Sequence, residues 1–137
     1  MTVPFHYLDL RAFCYGTEDE ERVAGALRTF LPEAVDLERT VSAGHHGDRI
    51  VVLSARVERA DEIRHVLSVL REGDLLGAIE ADLEDRVDDN NSLFVHLDKQ
   101  AAFEGSPELG EGISLRGKIE AYPATREAAI ENVREVL

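Results

Sequence analysis

Tyr7-Leu8-Asp9-Leu10-Arg11-Ala12-Phe13-Cys14-Tyr15 alternates without a break, and it is the core of a strand-like stretch over residues 4–15. Leu8, Leu10, Ala12 and Cys14 fall on one side; Tyr7, Asp9, Arg11, Phe13 and Tyr15 fall on the other. Successive side chains of a strand point to opposite faces. A strand apolar on one side and wet on the other belongs in an antiparallel sheet covered on one face only. The stretch therefore predicts an α+β protein, a two-layer sandwich whose open sheet face looks into solvent.

The rest of the chain agrees. Thr17 followed by Glu20 reads as a capping box, opening a helix to about Leu31 that buries Val23, Leu27 and Phe30 before Pro32 closes it. Residues 34–42 and 49–58 read as strands joined by a hairpin through Ala43–Asp48. Asp61 is the expected cap of a helix to Arg71, and a shorter helix spans 75–84. Residues 87–91 form a polar turn. A strand covers 92–98, the last strand 113–122, and Thr125 starts a final helix. Hairpins mixed with helices, rather than repeated crossovers, predict a largely antiparallel sheet of about five strands with helices packed on one face. The whole chain, 1–137, reads as one domain.

Sorting every strand by alternation assigns Leu8, Leu10, Ala12, Cys14, Val35, Leu37, Val41, Val51, Leu53, Ala55, Leu93, Val95, Leu97, Ile113, Leu115 and Ile119 to the helix side. The open side collects Tyr7, Asp9, Arg11, Phe13, Tyr15, Thr40, Arg56, Phe94, His96, Arg116, Lys118 and Tyr122. Rings beside cations are what single-stranded RNA requires: bases stack on aromatics while Arg and Lys meet phosphates. Arg11, Phe13, Tyr15, Phe94, His96, Arg116 and Lys118 are accordingly candidate RNA contacts. Aromatics and Arg are also enriched in protein interfaces, so the same face could serve a homodimer or another partner.

The net charge is −13, with 28 acidic residues against 15 basic ones, and only Lys99 and Lys118 are lysines. Such a surface repels nucleic acid in dilute salt, but it also suits a cell rich in salt. At about 1 M salt the Debye length shrinks to about 3 Å, and only local contacts decide binding. Apolar runs are too short to span a membrane. Cys14, the lone cysteine, forms no internal disulfide and fits a reducing, cytoplasmic setting as a small core residue. Asp9 and Arg11 interrupt the first apolar stretch, and no basic leader precedes it, which speaks against a secretory signal.

Four motifs remain: Thr17-Glu18-Asp19-Glu20, Gly44-His45-His46-Gly47, Glu84-Asp85-Arg86-Val87-Asp88, and Leu97-Asp98-Lys99-Gln100-Ala101-Ala102-Phe103-Glu104-Gly105. Read locally, Asp98 is an N-cap, Arg86 neutralises an acidic helix end, and His45 and His46 lie in a turn. Adjacent histidines point apart, so no metal is expected there. In this order and spacing, from about Leu8 to Ile119, the chain resembles the archaeal RNA-binding family labelled a predicted exosome subunit, and it looks like a haloarchaeal member. That family is similar in fold to the ribosomal protein that binds 5S RNA. The resemblance implies a role in RNA processing or exosome-mediated degradation, with exosome subunits as partners. It adds His45, His46, Arg86, Lys99 and Gln100 to the RNA-binding candidates and suggests that they converge on one surface.

No enzyme signature is present. There is no phosphate-cradling Gly-rich loop ending in Lys-Ser or Lys-Thr, and no nucleophile elbow. The expectation is a non-catalytic RNA-binding protein without a cofactor; the alternative is a protein-interaction module using the open face.

Overall fold

In the computed structural model, which describes residues 3–43 and 49–137, the sheet is built from β1 (Phe5–Cys14), β2 (Glu38–Ala43), β3 (Arg49–Val57), β4 (Ser92–Asp98) and β5 (Gly112–Ile119). Their order is β2-β3-β1-β5-β4, and every neighbouring pair is antiparallel. The α+β expectation holds. Helices α1 (Glu20–Arg28), α2 (Ala60–Glu72), α3 (Leu76–Ala81), α4 (Leu83–Arg86), α5 (Lys99–Phe103) and α6 (Arg126–Arg134) complete the described chain.

Register explains the core. Leu10 lies opposite Leu115, which lies opposite Val95, so three buried side chains form one row across β1, β5 and β4. Leu53 on β3 is buried in the same core. Helix α2 contributes Ile63, Val66 and Leu70, spaced to share one helical face. Phe30 and Leu27, from the end of α1 and just beyond it, are fully buried. Cys14 is buried too; burial first, then the Glu18 and Glu20 carboxylates, push its thiol above the usual value.

Several local expectations need correction. Asp19, not Thr17, caps α1: its carboxylate accepts the Glu21 N–H at 2.9 Å. Glu20 is then the first helical residue, not the third after the cap that a capping box requires, and its carboxylate pairs with Arg39 on β2. Helix α2 begins at Ala60 after Arg59 with no side-chain cap, while Asp61 sits in the first turn and pairs with Arg59. The expected 75–84 helix breaks at Asp82 into α3 and α4. Strand β2 starts at Glu38 rather than 34, and Val41, although paired with buried Val51, is exposed on the sheet's edge. Strand β5 stops at Ile119, leaving Tyr122 beyond the sheet and fully exposed. By contrast, Thr125 caps α6 and Asp98 caps α5, accepting from Ala128 N–H and Ala101 N–H.

The sheet's two edges differ. The outer side of β4 is engaged near both ends by its own chain, through bridges of Val87 to Leu93 and Leu97 to Leu109. The open face of β4 continues onto β5 and then β1.

Candidate nucleic-acid interface

Strand pairing arranges the open face in rows. Ser92, Lys118 and Tyr7 share one row. Phe94, Arg116, Asp9 and Arg56 share the next. His96, Ser114, Arg11 and Ser54 share the third, and Phe13 lies opposite Val52 in the fourth. Cations outnumber carboxylates across β3, β1, β5 and β4, the reverse of the molecule as a whole.

Most of these cations are held. Asp9 accepts a fork from Arg56, at 2.7 and 3.0 Å, and its carboxylate lies 3.6 Å from Arg116. The hydrogen bond to Asp9 raises the Arg56 guanidinium above its usual pKa. Arg116 also donates to the Tyr7 hydroxyl at 3.0 Å, and the Arg56 guanidinium carbon lies 3.9 Å from the Tyr7 ring centre. Tyr7, Asp9, Arg56 and Arg116 thus form one fixed cluster. Lys118 donates to the Asn90 carbonyl. Arg11 differs: its guanidinium lies 5.5 Å from the Phe13 ring centre, and it has no anionic partner among the described residues.

Three rings face solvent on or beside these strands. Phe13 and Phe94 are each 38% exposed, and Tyr15 is 51% exposed. Phe13 and Tyr15 lie 6.4 Å apart between ring centres, inclined at 29°. Exposed rings on a rigid sheet are available as stacking platforms at little ordering cost.

Lys99 has a structural position that sequence could not reveal. Its side chain is only 12% exposed. Nζ donates to Glu18 Oε1 at 2.8 Å and to the Phe13 carbonyl at 3.0 Å, and lies 5.4 Å from the Tyr15 ring centre. Gln100 is exposed on α5. Arg86 lies at the other end of β4, next to the Val87–Leu93 bridge, paired with Asp82 at 3.7 Å and 20% exposed. The seven residues of β4 separate it from Lys99, about 20 Å at the rise of a strand. The expected convergence of Arg86 with Lys99 and Gln100 therefore does not occur. His45 and His46 lie outside the described residues; the strand ends flanking them, Ala43 and Arg49, are on the Lys99 side of the sheet, because β3 runs from Arg49 alongside Cys14.

Sequence reasoning put Tyr7, Asp9 and Arg56 on the open face but left them out of the binding set, and it missed Ser54 and Ser114. The missing signal was cross-strand register, which pairs residues far apart in the chain. Among the described residues no group of three or more His, Cys, Asp or Glu could hold a metal ion, and no helix is long and apolar enough to cross a membrane. A groove of about 630 Å³ beside the N-terminus carries Glu58, Glu120 and Glu135; three carboxylates make it a poor place for phosphate.

Known proteins share this architecture. A family profile described as RNA binding matches residues 7–119. An RNA-binding protein of Pyrococcus abyssi is 33% identical, over 96% of this chain and 93% of its own length. The crystal structure of a protein from Archaeoglobus fulgidus superposes with a TM-score of 0.87 at 30% identity, covering 97% of this chain and 99% of that one. A DUF54 protein from Methanothermobacter thermautotrophicus gives 0.83 at 42% identity, covering 97% and 98%.

Proposed function

This chain belongs to the RNA-binding family matched over residues 7–119, and on that premise we propose that it holds RNA on the open face of β3, β1, β5 and β4 and performs no chemistry of its own. The observation that carries the reading is the placement of exposed Phe13, Tyr15 and Phe94 beside Arg11 and Arg116. Rings supply stacking, which is worth about 1–3 kcal/mol per base and does not depend on dilute salt as phosphate attraction does. That division suits a protein of net charge −13 whose basic residues include only two lysines. A salt-rich archaeal cytoplasm is the setting in which such a surface binds RNA through local contacts.

The resemblance to the family labelled a predicted exosome subunit supports a role in RNA processing or degradation, with exosome subunits as partners. His45, His46, Arg86, Lys99 and Gln100 belong to the motifs that carry that resemblance. Of these, the exposed Gln100 is placed to meet ligand directly, and Lys99 acts by positioning Phe13 and Tyr15.

Single-stranded RNA affinity in molar potassium chloride tests the reading. Phe13→Ala and Phe94→Ala should each weaken binding. Unchanged affinity in both, with the melting temperature intact, would reject the stacking surface. Sedimentation of the same samples would then show whether the face joins two copies of the chain.

A further inference from the structure

The open face also sets the size and form of its ligand, an inference that rests on the RNA-binding reading above. Register places Phe94 in the row of Asp9 and Arg116. Phe13 is on β1, two strands across from β4 and four residues along from Asp9. With strands about 4.8 Å apart and a rise of about 3.3 Å per residue, the two rings stand about 16 Å apart on a diagonal.

The midpoint of that diagonal falls on Ser114 of β5, flanked in its own row by His96 and Arg11. Ser114 is short and half-buried, so the surface dips between the two rings. Its hydroxyl both donates and accepts. Arg11 beside it is the one cation of this face without a polar or anionic partner among the described residues. Asp9 ties Arg56 and Arg116, and the Asn90 carbonyl ties Lys118. The Arg11 guanidinium, 5.5 Å from the Phe13 ring centre and without an anionic partner among the described residues, is placed to meet a backbone phosphate between the two rings.

We propose that this diagonal is a track for single-stranded RNA about three nucleotides long. One end base stacks on Phe94 and the other on Phe13. Of the two phosphates between those bases, one is held by Arg11 and Ser114. An A-form duplex keeps its bases stacked inside the helix, so it cannot use the rings. The face therefore selects unpaired RNA: a loop, an overhang or a free end.

Labelled oligouridylates of two to ten nucleotides and an A-form RNA duplex, titrated with the full chain over a range of potassium chloride, test this directly. Affinity should climb steeply up to three or four nucleotides and only slightly beyond. The duplex should bind at least about tenfold more weakly. One phosphate contact on a single strand predicts a slope of log K against log salt of about −0.7. Arg11→Gln should flatten that slope with the melting temperature unchanged, and Phe13→Ala or Phe94→Ala should weaken binding while keeping it. Continued steep gain beyond about six nucleotides, equal duplex binding, or a slope unchanged by Arg11→Gln would overturn the track while leaving RNA binding in place. Failure of every oligonucleotide and the duplex to bind would overturn the RNA-binding reading of this face, and the track with it.

Discussion

Lys99 reaches back across the sheet's end to Glu18, with 2.8 Å between ammonium and carboxylate, and the same nitrogen donates to the carbonyl of Phe13. Eighty-one residues separate the pair in the chain. The contact ties the start of α5 to the turn that follows β1, and it sets the ammonium 5.4 Å from the Tyr15 ring centre. One of the chain's two lysines thus serves as a brace beside the stacking rings.

Lys99→Met should therefore act on stability first. Glu18 would be left partly buried without its charge partner, a loss of about 1–3 kcal/mol. Thermal melting should show it, and RNA affinity measured well below the new melting temperature should fall by less than in Phe13→Ala. The opposite ranking would make Lys99 a direct RNA contact.

The same pair predicts an acid limb to stability. Burial alone would raise the Glu18 carboxyl, but the hydrogen bonds from Lys99 and the Tyr15 N–H together hold it below its ordinary value of 4.5. A folded value below the unfolded one stabilises in full above about pH 4.5, and that stabilisation is lost as pH falls through the folded value. Glu18→Gln removes the titration. The wild type's advantage in melting temperature over this variant should be largest near neutrality and shrink in acid. An advantage constant down to about pH 3 would contradict the linkage.

Asp9→Asn should loosen Arg56 and Arg116 together. Exposed ion pairs contribute about 0–1 kcal/mol, so the melting temperature should move little. Single-stranded RNA should bind more tightly at low salt, and the salt slope should steepen by about 0.7 for each new phosphate contact. A change in stability without a change in slope would confine Asp9 to a structural role.

Gly112 precedes the core of β5 with φ at +111°, and a Cβ built there would lie 2.5 Å from the Cβ of Lys99. Both the backbone conformation and the space favour glycine. Replacing glycine by alanine at a compatible position stabilises by about 0.4–1 kcal/mol, and Gly112→Ala should instead destabilise by more than that. Chemical denaturation should report this as a lower midpoint with an unchanged slope.

Sequence alone determined the layers of this protein. Alternation in residues 7–15 is set by the period of a strand, and it sorts each residue to a face without any partner strand being known; Leu10, Leu53, Val95 and Leu115 are buried together as that sorting requires. Caps such as Asp98 and Thr125 are equally local, because donor and acceptor lie within three residues. Where two caps were possible the local reading failed: Asp19 caps α1, which makes Glu20 its first residue, and the capping box over Thr17 does not form. The candidate site depended on register. Asp9 with Arg56 and Arg116, Ser114 between Arg11 and His96, and Lys99 on Glu18 bring together residues from distant segments. Only closure of the sheet decides which cations are braced and which, like Arg11, remain free to meet a ligand, because charges pair through space and not along the chain.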